Sequence, residues 1–82
     1  MKTVKYNADK VDEMVLALLY LTMFKDKFSY RTWKGHDWDS LDRLHAKGYI
    51  SHPASKAKSV AMTEEGVKRA CELFERNFAR TA

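Results

Sequence analysis

From Val11 onward, apolar side chains recur at Val11, Met14, Val15, Leu18 and Leu19, reaching Thr22 at helical spacing. Leu16, Tyr20, Met23 and Phe24 make the opposite face apolar too. This pattern predicts a first helix ending near Phe24 whose C-terminal half is apolar nearly all round, as in a helix covered on both sides. In so small a chain the second cover is expected from another subunit, which makes Leu16, Tyr20 and Met23 candidate interface residues. Asn7 or Asp9 supplies a short acceptor for the free amides at its start, where Asp9, Asp12 and Glu13 also suit the positive end of the dipole.

Lys25 to Lys34 breaks the periodicity and reads as a loop with room for one helical turn. Gly35 interrupts it, Asp37 caps the next helix, and that helix runs from Trp38 to about Lys47 with Trp38, Leu41 and Leu44 or His45 inward. Gly48 stops it in the left-handed cap position. Period-two alternation then appears in Tyr49 to His52 and Lys58 to Met62, with Ile50, Val60 and Met62 inward and Pro53 to Ala57 as the turn. Thr63 caps a last helix whose core stripe is Val67, Ala70, Cys71, Phe74 and Phe78. The chain is therefore expected to be one α+β domain over residues 1–82: three main helices, a two-stranded hairpin, and a reduced second helix between Phe24 and Asp37.

Composition narrows the class. Apolar residues at 45% and charged residues at 32% belong to an ordinary globular domain, and a net charge of +4 permits an anionic partner without requiring one. A single cysteine, Cys71, excludes an internal disulfide and suits a reducing compartment. The apolar run Met14 to Phe24 is shorter than the roughly 18 to 20 residues of a membrane span, and neither its acidic approach nor Lys25-Asp26-Lys27 after it fits a secretion signal. A cytoplasmic location is the expectation.

Leu44, Gly48, Tyr49, Ile50, Met62, Thr63 and Gly66 match a helix end of the form Leu-x-x-x-Gly-hydrophobic-Ile and a return of the form Leu-Thr-x-x-Gly. On these residues the chain resembles winged-helix regulators of the multiple-antibiotic-resistance and phenolic-acid-repressor kind over about residues 38–80. The resemblance implies a winged-helix scaffold and DNA-directed regulation. Asp37, Asp39 and Asp42 depart from it, because they occupy the helix half that such regulators place in the major groove, where phosphates would repel them. The whole chain, with Leu16 to Leu21 early and Trp33 to Trp38 in the middle, also resembles a small bacterial family of uncharacterised proteins, which implies no activity.

Candidate chemistry is confined to basic and aromatic residues. Lys25, Lys27, Arg31 and Lys34 interleave with Phe28, Tyr30 and Trp33, a combination suited to phosphates and exposed bases. The competing reading, and the expectation, is that these aromatics anchor a loop to the core while the lysines are solvated. Lys56 and Lys58, with His52, either touch a phosphate backbone or protect a hairpin tip from edge pairing. Trp33 and Trp38 either flank a ligand-contacting corner at Gly35 or lock the helix start into the core, the second being expected.

His36, His45 and His52 lack the spacing of a metal-ligand pair, Cys71 has no partner thiol, and no glycine-rich phosphate loop is present. The chain is expected to be non-catalytic, without metal or cofactor. Two functions stay open. One is a nucleic-acid-binding, regulator-like module using Lys25, Lys27, Arg31, Lys34, Lys56 and Lys58 on DNA or RNA. The other is a homodimerisation or protein-interaction module that has lost DNA binding.

Overall fold

A computed structural model describes residues 4–80. Three helices, α1 (Ala8–Leu21), α2 (Trp38–Ala46) and α3 (Glu64–Phe78), accompany strands β1 (Phe24–Lys25), β2 (Tyr30–Trp33) and β3 (Ser59–Ala61). The strands form one antiparallel sheet in the order β1-β2-β3, with Phe24 opposite Arg31, and Thr32 opposite Val60. This α+β arrangement is compatible with a small winged-helix-like domain.

Each helix starts where a short polar side chain offers an acceptor. Asn7 takes the amide of Lys10 at 3.1 Å, Asp37 that of Ser40 at 3.1 Å, and Thr63 that of Gly66 at 2.9 Å. Gly48 ends α2 with φ +83°, a conformation that costs a residue with a Cβ more than it costs glycine. Thr63 also donates to the Gly48 carbonyl at 2.7 Å, which ties the start of α3 to the end of α2.

The core joins Leu16 and Leu19 of α1, Leu41 and Leu44 of α2, Val60 and Met62, Ile50, and Ala70 and Leu73 of α3. Helix α1 packs mainly on α3 and α2. Its second cover therefore comes from this chain itself. Leu16 is 1% exposed and offers no surface to a partner, while Tyr20 and Met23 are half-buried against the core. Leu18 and Leu21, at 38% and 62% exposure, carry the outward apolar surface of α1 instead.

The region expected as a loop is a hairpin. α1 stops at Leu21 rather than near Phe24, and β1 and β2 occupy the place of a second helix. Asp26 donates its amide to the Ser29 carbonyl at 2.7 Å, closing the connection. Thr32 Oγ1 donates to the Leu19 carbonyl at 2.9 Å and lies 3.1 Å from Thr22 Oγ1. Near its C-terminus α1 thus spends an orphan carbonyl on the sheet.

The expected two-stranded hairpin from Tyr49 to Met62 is reduced for a local reason. Ile50 bridges Met62, and Ser51 donates its amide to Ala61. On the return side, Ala61 donates to Ser51 Oγ at 2.9 Å, and the Ile50 carbonyl accepts from His45 Nδ1 at 2.9 Å. With side chains satisfying these groups and Pro53 lacking an amide hydrogen, the ladder stops after one bridge. β3 takes β2 as its main partner.

Candidate nucleic-acid interface

The pleat of the sheet sorts its side chains into two faces. Thr32, Val60 and Met62 are buried on the face that meets α1 and the core. Phe24, Arg31 and Trp33 share the other face, as their register requires. There Phe24 and Trp33 pack with ring centroids 4.8 Å apart, and Trp33 is 54% exposed. Arg31 lies along the same face, its Nε donating to Ser59 Oγ at 2.8 Å and its Nη2 to the Ser59 carbonyl at 2.9 Å. Those bonds hold the guanidinium flat across the strands and leave its remaining donors for a partner.

The expectation that Phe28, Tyr30 and Trp33 anchor a loop to the core does not hold. Phe28 and Tyr30 are exposed like Trp33. Trp38, expected inward, is 53% exposed. The reason is geometric: Phe28 sits in the β1–β2 connection and Trp33 points to the outer sheet face, while Tyr30 alternates onto the inner side beside Met62, where it stays open to solvent. Phe78, placed in the core stripe from its spacing, is exposed near the end of α3, its ring tilted against Phe74 with centroids 5.4 Å apart. Cys71 is half-buried rather than inward, its thiol 3.4 Å from Glu75 Oε1.

The basic residues separate into different roles. Lys34 donates to the carbonyls of Pro53 and Ser55, both at 2.7 Å, and lies 5.9 Å above the Trp38 ring. It holds the 53–55 turn in place. Lys25 and Lys27 are exposed at the β1–β2 end of the sheet, near the rings of Tyr30 and Phe28. Lys56 and Lys58 are exposed at the other end, where the Lys34 amide donates to the Lys58 carbonyl. The two lysine pairs therefore flank the aromatic face from opposite ends of β2, separated by roughly 13 Å of extended chain.

Helix α2 has no cation to spare. Arg43 Nε and Nη2 donate to Asp12 at 2.6 and 2.9 Å, and Lys47 pairs with Asp9 at 3.6 Å. Burial alone would raise the Asp12 pKa, but the hydrogen bonds from Arg43 and Ser40 and the positive charges of Arg43 and Lys47 bring it below its usual value. With Asp37 capping α2, and Asp39 and Asp42 exposed, its solvent side is acidic. The sequence did not disclose that Arg43 and Lys47 face α1.

Among the described residues no group of three or more His, Cys, Asp or Glu gathers as metal ligands. The His45 and His52 rings pack at a tilt with centroids 4.8 Å apart, and His52 Nδ1 accepts from the Ala54 amide, so both serve the 50–54 segment. No helix among the described residues is long and apolar enough to cross a membrane.

A small α+β domain with an exposed aromatic sheet face is the class the geometry defines. The chain belongs to the family described as a domain of unknown function, DUF6429, whose pattern matches residues 7–80. It is 49% identical over 72 residues to the uncharacterized protein y4hR of Sinorhizobium fredii (strain NBRC 101917 / NGR234), covering 88% of this chain and 93% of that protein. No solved structure matches it.

Proposed function

We propose that this domain is a non-catalytic module that binds single-stranded nucleic acid on the outer face of its sheet. The observation that carries this reading is Trp33, more than half exposed and packed on Phe24, with the Arg31 guanidinium on the same face. An indole and a guanidinium plane offer stacking surfaces to unpaired bases without requiring a particular base. Lys25 and Lys27 at one end and Lys56 and Lys58 at the other supply phosphate contacts.

Single strands suit this surface better than a duplex. Major-groove reading needs a helix whose leading half tolerates phosphates, and α2 presents Asp37, Asp39 and Asp42 while its cations pair with α1. A flat aromatic face also cannot reach stacked bases inside a duplex. The regulator-like role therefore narrows to contact with unpaired DNA or RNA, with Arg31 offering a stacking plane and Lys34 holding the 53–55 turn, neither as a free phosphate ligand.

Fluorescence anisotropy of a labelled 12-nucleotide oligothymidylate across a salt series tests the reading. Two to four neutralised phosphates give a slope of log affinity against log salt of roughly −1.4 to −2.8. Absence of binding at low salt, or preference for duplex of the same length, contradicts it.

A further inference from the structure

Behind the β1–β2 hairpin lies a second concavity, away from the aromatic face and of about 430 Å³. That volume falls in the range of roughly 300–1,000 Å³ typical of small-molecule sites. Its floor is Tyr30, Met62 and Val67, and Phe28 stands at its rim, 88% exposed. Lys25 on β1 and Lys68 on α3 line opposite walls. Neither makes an ion pair among the described residues.

We infer that this groove binds an amphipathic monocarboxylate, a medium-chain or aryl acid, with its apolar body on Met62 and Val67 and its carboxylate between Lys25 and Lys68. The charge balance selects the class. Glu64 lines the groove with the two lysines and leaves the walls a single net positive charge, which matches a monoanion and undercompensates a phosphate dianion. Met62, Val67 and the Tyr30 ring give the floor methyl, thioether and ring surface suited to an apolar body, with Ser29 and the Tyr30 hydroxyl the neutral polar groups of the lining. Phe28 supplies an apolar side chain free to fold over the occupant. The groove stands apart from the nucleic-acid reading except at Lys25, which both use, since Val67 and Lys68 lie outside the outer sheet face.

The test is titration of the ¹⁵N-labelled protein with sodium octanoate, followed by amide chemical shifts, with octylammonium chloride and octanol as chain-matched probes. Saturable shifts confined to Lys25–Tyr30 and Met62–Lys68, at least tenfold weaker for octylammonium, are expected. Lys68→Glu is expected to weaken octanoate about tenfold, and Lys25→Gln, on the opposite wall, about threefold, both with amide spectra otherwise superimposable on the parent. Equal response to octylammonium, shifts centred elsewhere, or no saturable shift overturns the inference. So does an oligonucleotide moving the same amides while octanoate leaves them unmoved.

Discussion

Arg43 on α2 holds the carboxylate of Asp12 on α1 with two nitrogens, at 2.6 and 2.9 Å, and that carboxylate is 1% exposed. The pair fixes the angle between the two helices where Leu16 and Leu44 meet in the core. Ser40 adds a third contact, lying 3.4 Å from Arg43 Nη2. A buried carboxylate with such partners is worth little against a well-packed apolar replacement, yet breaking it from one side is costly.

Arg43→Met leaves Asp12 buried without its partner, and the loss is expected to be about 3 kcal/mol at neutral pH. In the parent, the Asp12 pKa is depressed below 3.8. Its contribution is therefore present above the unfolded pKa and is lost as pH falls through the lower folded value. In the variant Ser40 and Lys47 still favour the carboxylate, but with Arg43 gone burial outweighs them and raises that pKa, so the Asp12 contribution changes sign. Urea unfolding from pH 3 to 7 should show the variant's deficit shrinking as the pH falls. A deficit independent of pH would mean that the pair is not what the substitution removes.

Gly66 sits where a Cβ would run into the backbone carbonyl of Tyr49, whereas Gly35 has open space around it. Gly66→Ala is expected to lower the melting temperature by roughly 10 °C or more, since about 2 kcal/mol is lost and each kcal/mol moves a domain of this size by about 4–8 °C. Gly35→Ala should move it by less than about 3 °C. Thermal unfolding followed by circular dichroism separates the two.

Thr32 is buried and donates to the Leu19 carbonyl at the end of α1. Thr32→Val keeps the shape and removes the short donor, leaving that carbonyl only the long 3.5 Å contact from Thr22 Oγ1. A loss of about 1–2 kcal/mol is expected, with faster hydrogen exchange at the Thr22 and Met23 amides than at those of α3. Uniform acceleration across the domain would contradict the local role.

Lys34→Met removes both bonds to the 53–55 turn. Exchange at the Ser55 amide should accelerate while the β2–β3 amides keep their protection, and stability should fall by no more than about 1 kcal/mol. Equal loosening of β3 would mean that Lys34 supports the sheet rather than the turn.

Much of the scaffold was legible because it depends on local chemistry. Asn7, Asp37 and Thr63 are capping residues in any context, Gly48 needs its positive φ, and the apolar spacing of α1 and α3 is long enough to be unambiguous. The β1–β2 hairpin was not. Its strands are two and four residues long, too short for alternation to stand out, and Lys25-Asp26-Lys27 reads as solvated loop. Side-chain direction was the deeper difficulty. Trp33 and Trp38 carry a strong expectation of burial that only the position of the sheet edge overrides. The pairings of Arg43 with Asp12 and of Lys34 with a distant turn span 31 and 19 residues, and no local pattern announces them. The candidate face was thus visible as a composition of basic and aromatic residues. Which of them are free to act was decided by tertiary geometry.

The most direct measurement is the affinity for a 12-nucleotide oligothymidylate of Trp33→Ala, compared with the parent and with Trp38→Ala at the same salt. Loss of base stacking on Trp33 is expected to weaken binding by roughly 5- to 100-fold, while Trp38→Ala, away from the outer sheet face, changes it less than about twofold. Equal affinity of Trp33→Ala and the parent, with both folded, would contradict an aromatic sheet face as the binding surface.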